Sequence, residues 1–261
     1  MPRTPRWIDG REDRGVVEIR FSHWKWFPEY IHQEMLDFTS YIYRGHADST
    51  QKLEPSLDRI IKSPHSARRK KHLDRFKLAV RGRRGSNPPT IVDENGWWAL
   101  GQHHGLCTPL LDWTESPFVA LYFAMVKAKE EPGASCCVWA LSEVTIEKNS
   151  RAILNDESIK AVSDRKPIVE IFRPMSDENS RLVNQRGLFT RGPNNMDLQQ
   201  WIQTYDDDSG KWGLIKMVIP KVGTDICLRY LNRMNINPST LYPDLYGASQ
   251  FCNMALRTGS Y

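Results

Sequence analysis

Thr108-Pro109-Leu110-Leu111-Asp112-Trp113-Thr114-Glu115-Ser116-Pro117-Phe118-Val119-Ala120-Leu121-Tyr122-Phe123-Ala124 holds the sharpest structural transition in this chain of 261 residues. Thr108 to Leu111 reads as a short apolar strand, and Asp112-Trp113-Thr114 as the turn that leaves it. Ser116 is a good N-cap and Pro117 a good first helical residue, where a missing N–H costs nothing. Phe118, Leu121, Tyr122 and Met125 then recur at i, i+3, i+4 and i+7, so the helix is expected to bury one face. Lys127 and Lys129 suit the negative end of its dipole.

Working upstream, residues 25–38 set Tyr30, Ile31, Met35 and Phe38 at helical spacing, and Tyr41-Ile42-Tyr43 reads as a short strand ending at Arg44-Gly45. A helix is expected over 66–81, with Leu73, Phe76 and Val80 inward, and another over 96–104. Downstream, strands are expected at 136–141, 169–172 and 214–219, helices at 224–234 and 247–256, and a loop tip at 206–210. Strands and helices alternate without a βαβ rhythm, which favours α+β, a mixed sheet flanked by helices, over a doubly wound sheet. The expected organisation is one domain: a helical N-terminal extension over 1–39 and a core over 40–261 carrying a basic helical insertion at 59–86. The length allows a core without disulfide or metal staples. The 27 aromatic residues argue against disorder.

Charge is unevenly placed. Residues 59–84 hold eleven basic side chains and one acid, Asp74, a net +10. The whole chain carries +5, so the remainder is at −5. Such asymmetry is the footprint of a polyanion partner, nucleic acid above all, or of a solvated helix face. Arg68, Arg69, Lys70, Lys71, Arg81, Arg83 and Arg84 are the candidate nucleic-acid contacts. Five cysteines (Cys107, Cys136, Cys137, Cys227 and Cys252) with no C-x-x-C spacing argue against a disulfide framework or a zinc ribbon. No apolar run approaches a membrane span and the N-terminus has no secretory pattern, so a cytoplasmic protein without membrane contact is expected.

Three features carry chemistry. Tyr43-Arg44-Gly45 puts a guanidinium at a strand end beside a glycine, an arrangement suited to clamping phosphate or carboxylate. A structural pairing of Arg44 with Asp48 or Glu54 is the alternative. Gln102-His103-His104-Gly105 precedes Asp112, and a histidine there can hydrogen-bond ribose, phosphate or the Asp112 carboxylate; a satisfied core histidine reads equally well. Adjacent histidines diverge on any regular element, so no metal site is expected. Walker, Rossmann and G-x-S-x-G patterns are absent from the sequence.

Tyr43-Arg44-Gly45, Leu53-Glu54-Pro55-Ser56-Leu57-Asp58-Arg59, and the run from Gln102 to Ala124 together resemble the FRG domain family, over roughly residues 40–260. The central block is similar to the family pattern Q-H-x-G-x-x-T-x-L-L-D-W-T-x-x-P-x-x-A-x-x-F-A, and Asn184-Gln185-Arg186-Gly187-Leu188-Phe189 resembles a later family segment. Cys107-Thr108-Pro109 departs from it where Pro-Thr-Arg is expected. A shorter resemblance links Tyr43-Arg44-Gly45 to the first motif of arginine-type ADP-ribosyltransferases. There Asp112-Trp113-Thr114 takes the place of a Ser-Thr-Ser turn, and Ala120 and Phe123-Ala124 fall at matching offsets. This implies an ADP-ribosyltransferase-like core with NAD as co-substrate. Arg44, Asp112 and Gln185 would then be catalytic, with Tyr43, Arg44, Gly45, His104 and Thr114 around the cofactor. The late Glu pair of those enzymes has no counterpart; Gln185 occupies the nearest motif, with Glu170 and Glu178 the nearby carboxylates.

The sequence therefore points to an NAD-dependent transferase acting on nucleic acid. RNA is favoured because Trp97, Trp98 and Trp113 can stack on unpaired bases. By analogy such chemistry suits a toxin of a toxin–antitoxin or phage-defence system. Two other readings stay open: a non-enzymatic nucleotide- or nucleic-acid-binding module, and a subunit whose basic helix docks an acidic partner such as an antitoxin.

Overall fold

Cys136 to Leu141 is buried on both faces, as a central strand must be, and the sheet is built around it. The computed structural model describes residues 4–163, 165–174, 180–206 and 210–258. Its strands are β1 (Trp7–Asp9), β2 (Val16–Phe21), β3 (Tyr41–His46), β4 (Leu110–Thr114), β5 (Ser135–Ser142), β6 (Glu170–Phe172), β7 (Gly187–Arg191) and β8 (Leu214–Pro220). They form one sheet in the order β1-β2-β8-β5-β3-β4-β7-β6. The β2–β8 pair is parallel and the other pairs are antiparallel. The helices are α1 (Phe27–Tyr30), α2 (Ser56–Ile60), α3 (Arg68–Ala79), α4 (Glu94–His103), α5 (Pro117–Val126), α6 (Glu143–Asn155), α7 (Ser180–Asn184), α8 (Leu198–Tyr205), α9 (Thr224–Arg233), α10 (Pro238–Leu241) and α11 (Leu245–Thr258). The chain is thus α+β, with a mixed sheet between helices. Among the described residues no helix is long and apolar enough to cross a membrane.

Alternation along the strands sorts two cores. Cys136, Val138 and Ala140 face α5 and α9, together with Ile19, Met217 and Leu228. Cys137, Trp139 and Leu141 face α6 and α8, with Ile146, Trp201 and Ile202. A third cluster joins α2, α3 and α4 to the sheet edge through Leu57, Leu73, Trp98, Leu110 and Phe189. Burial pushes the Cys136 and Cys137 thiols up to about 12, so they behave as apolar core residues.

Several expectations change. The helical extension over 1–39 opens instead with β1 and β2, and β2 enters the sheet beside β8. Val17, Ile19 and Phe21 alternate with Glu18 and Arg20, a strand period that the helical residues 24–35 overshadow in the sequence. Arg44 lies within β3, not at its end, and Asp112-Trp113-Thr114 is strand, not turn. The Ser116 side chain does cap α5, accepting from the Val119 amide. That helix, however, is buried nearly all round, since the N-terminal and C-terminal elements cover the side away from the sheet. The basic insertion is tied in by Arg69, whose Nη1 donates to Asp58 at 2.7 Å and whose Nη2 donates to the Ile61 carbonyl and the Asn195 side chain.

Gly45 explains how α5 sits. A Cβ there would lie 2.0 Å from the Ala120 carbonyl oxygen and 2.6 Å from the Ala124 amide nitrogen. Helix α5 crosses β3 backbone to backbone, with Ala120 and Ala124 as the small residues that permit the approach. The sequence reading gave Gly45 to a ligand; the helix takes that space. Gly45→Ala therefore forces α5 off the sheet and is expected to cost about 3 kcal/mol, at the upper end for overpacking. Urea unfolding checks this, and a wild-type midpoint would show that the crossing is looser than described.

Candidate functional site

Strands β3 and β4 share one residue pair, Tyr43 with Thr114. Continued by two residues, that antiparallel register would set Gly45 opposite Asp112. Instead the strands part, and β4 stays paired with β7 over five residues. A backbone carbonyl at such a split still needs a donor, and Arg44 supplies it. Its Nη1 donates to the Asp112 carbonyl at 2.6 Å and reaches the Asp112 carboxylate at 3.4 Å. Its Nε donates to His46 Nε2 at 3.0 Å. Among the described residues Nη2 makes no hydrogen bond. The Arg44 side chain is 21% exposed and that of Asp112 58%. Burial pulls the Arg44 pKa down and Asp112 pulls it back up.

The base of Arg44 is fixed from behind. Trp139 pairs with it across β5, and Lys216 of β8 lies over the Trp139 ring at 5.3 Å. His46 is buried. Burial, and then the Arg44 charge, push its pKa down to about 3, while a hydrogen bond to the Gln51 backbone partly opposes them. The imidazole is therefore neutral and presents Nε2 to Arg44 as an acceptor, while the Trp139 indole N–H faces its Nδ1 at 3.3 Å.

The split opens onto a cavity of about 540 Å³. This lies within the 300–1,000 Å³ typical of small-ligand sites. Arg44, Arg59, Lys127 and Arg181 bring positive charge to its lining, Asp112 and Glu131 negative charge, and Tyr43, Phe123, Phe189 and Tyr242 aromatic surface. Arg181 is steadied by Asp244 and lies over the Tyr242 ring at 5.3 Å. Lys127 has no ion-pair partner among the described residues. Burial pushes the Tyr43 and Tyr242 hydroxyls up to about 12, so both stay protonated donors.

The cavity brings together Tyr43, Arg44, Gly45, Asp112, Thr114 and Gln185 of the expected site. Their roles are more structural than the sequence suggested. The Thr114 hydroxyl donates to the Gln185 carbonyl at 2.6 Å, and the Gln185 amide donates to the Leu241 carbonyl at 3.1 Å; together they close the wall between β4 and α10. His104 is exposed and its place is taken by His103. Gly105, in the left-handed region at φ 84°, ends α4. Its amide bonds to Gln102 and that of Leu106 to Gly101, a Schellman cap that turns His104 outward. Glu170 is held by Asn95 and Arg165 away from the cavity. Glu178, and residues 207–209 of the expected loop tip, lie outside the described residues. Glu131, Lys127 and Arg181 were missed, because nothing in their spacing links them to Arg44.

The basic segment also divides. Arg69 is 10% exposed and bonded to Asp58, itself 1% exposed, so it leaves the candidate nucleic-acid face. Arg68, Lys70, Lys71, Arg81 and Arg83 are exposed, and none makes an ion pair among the described residues. Arg84 donates to the Pro89 carbonyl and, with Lys77, lies over the Trp97 ring. Trp98 and Trp113 are core residues and cannot stack on a base; Trp97 alone of the three is partly exposed.

Residues 39–132 match the family model of the FRG domain, which supports the FRG family for the segment running from β3 through α5 to the turn beyond it. The match is shorter than the 40–260 expected. No curated protein and no solved structure matches the chain.

The neutral His46 makes a pH prediction. Its folded pKa is lowered, so between about 3 and the ordinary 6.5 the unfolded chain binds the extra proton. That contribution to stability is complete above pH 6.5 and is lost as pH falls towards 3. In an NMR titration the His46 ring signals are expected to stay unchanged down to about pH 4. A midpoint near 6.5 would contradict the neutral, buried assignment.

Proposed function

We propose that the cavity at the β3–β4 split binds NAD through its pyrophosphate and that the chain is an ADP-ribosyltransferase, built on a core of that kind, with nucleic acid as acceptor. The observation that carries the reading is Arg44: a guanidinium locked by His46 and Asp112, with Nη2 uncommitted, lining a basic, aromatic cavity of nucleotide-binding size. A preorganised fork of this type suits phosphate oxygens. Arg59 and Lys127 add charge, and the aromatic side chains suit the flat rings at the ends of a dinucleotide.

In this reading the bond between ribose C1′ and the nicotinamide nitrogen breaks, and its electron pair leaves with nicotinamide. The positive charge left on the ribose calls for a nearby carboxylate. Asp112, oriented by Arg44, takes that role. An acceptor oxygen or nitrogen then bonds to C1′ and loses its proton to Glu131, the second carboxylate of the lining. Gln185 shapes the wall rather than reacting.

Nucleic acid is supported by the course of α4. At one end Trp97 lies beneath Lys77 and Arg84 of the basic segment; at the other, Gln102 and His103 line the cavity. Six residues of helix span about 9 Å, so the basic face and the cavity are neighbours. A single strand laid along α3 reaches the site, and RNA is our preferred acceptor. A bulky, charged ADP-ribose group attached to RNA would block its pairing and decoding, which fits a toxin held in check by an antitoxin and a role in defence against phage.

Incubation with labelled NAD and RNA is expected to release nicotinamide and label the RNA; neither release nor label would refute the reading. Arg44→Lys keeps the charge and loses the fork, so ADP-ribose affinity in calorimetry should fall about tenfold to a hundredfold. Unchanged affinity would remove Arg44 from the site. Reversing Arg68, Lys70, Lys71 and Arg75 to Glu should flatten the salt dependence of RNA binding by about 0.7 in log–log slope per lost phosphate contact. If the slope stays at the wild-type value while binding to a protein partner is lost, the basic face serves protein docking instead.

A further inference from the structure

A second cavity, of about 250 Å³, lies against the first and shares Val126, Lys127 and Tyr242 with it. The turn after α5 is the partition. Lys129 and Glu130 line the second cavity, Glu131 the first, and Lys127 both. Two adjoining cavities with a charged partition suit a reaction that joins two substrates.

The two differ in chemistry. In the second, the charges are already paired with one another: Lys129 with Asp225 at 2.7 Å, and Arg257 with Glu130 at 3.5 Å. Apart from Lys127, which the two cavities share, what remains is neutral. The side chains of Gln250 and Asn253, on one side of α11, make no hydrogen bond among the described residues. Tyr246 is exposed, packs edge-on against Tyr242 at 5.2 Å and has Arg181 over its ring at 5.5 Å, and Met125, Leu228 and Met254 supply an apolar floor. Free amides read donor and acceptor edges, and the exposed tyrosine beside them offers the ring face away from Arg181 as a stacking surface.

We propose that this second cavity is the acceptor subsite and takes one unpaired nucleobase of a single-stranded nucleic acid, with Gln250 and Asn253 reading its edge and Tyr246 stacking on its face. The inference rests on the transferase reading of the first cavity. Phosphates belong to the first cavity, where Arg59 and Lys127 have no ion-pair partner among the described residues and Arg44 keeps Nη2 uncommitted; a flat, neutral, hydrogen-bonding group belongs to the second. Lys127, at the C-terminal end of α5, stands where the acceptor strand and the NAD pyrophosphate come closest. In the transfer step, once nicotinamide has left with the electron pair of its bond, the nucleotide's exocyclic nitrogen or ribose hydroxyl forms the bond to C1′ and its proton passes to Glu131.

The full chain is tested with a single-stranded RNA carrying 2-aminopurine, and separately with ADP-ribose. Wild type should quench the 2-aminopurine on binding. The Gln250→Ala/Asn253→Ala variant should bind the RNA base about tenfold more weakly, the loss expected for two neutral hydrogen bonds, and transfer label correspondingly less. Its ADP-ribose affinity should equal that of wild type. Both positions lie on a helix surface where alanine is favourable, so folding is retained, and Tyr246→Leu gives a second variant with the stacking ring removed. RNA quenching and label transfer at wild-type levels in both variants would overturn the subsite. If wild type binds RNA with quenching that these variants lose, yet binds no ADP-ribose, the base subsite stands and the transferase reading falls.

Discussion

The sheet is joined at its narrowest point by one backbone pair and one side chain. β3 and β4 meet at a single residue pair, and Arg44 bridges the gap that opens beyond it by donating to the Asp112 carbonyl. Two consequences follow from that constraint. The split creates the cavity, and the residue that stabilises the split becomes the best-placed cation within it. Burying a guanidinium costs solvation, which the Asp112 contacts and the neutral His46 acceptor offset. Structure and site thus draw on the same few atoms.

Helix α5 completes this arrangement from the other face. It crosses β3 at Gly45, where Ala120 and Ala124 leave room for backbone contact. Its last turn delivers Val126 and Lys127 to the cavity lining, and the turn beyond it divides the two cavities. The position of the partition is therefore set by a glycine–alanine contact at the residue next to Arg44.

Legibility in the sequence followed physical cause. The central strands were readable because burial on both faces leaves an apolar run, as in Cys136 to Leu141 and Leu214 to Ile219. The start of α5 was readable because Ser116 and Pro117 act locally. β2 was missed because its alternation is short and sits beside a stronger helical signal. β7 was also missed, since its identity depends on pairing with β4 rather than on its own pattern. Arg44, Asp112 and Gln185 line one cavity, a proximity legible because family-like spacing carries tertiary information that composition lacks. Their roles were less legible. Thr108 bonds to Gln102 and to the Ser56 hydroxyl, Gly105 caps α4, and Thr114 holds the Gln185 loop. Most of the recognisable motif thus builds the walls, while Glu131 and Arg181 come from outside it. Charge was legible as a total and as a cluster, but only the fold separates the structural Arg69 from its exposed neighbours.

The central claim is that the split in the sheet is a pyrophosphate site organised by Arg44. A crystal structure of the chain with ADP-ribose tests it most directly. The account predicts pyrophosphate oxygens within about 2.7–3.1 Å of the Arg44 guanidinium, with the Asp112 carboxylate beside the ribose. ADP-ribose bound elsewhere, or bound in this cavity with its phosphates turned away from Arg44, would contradict it.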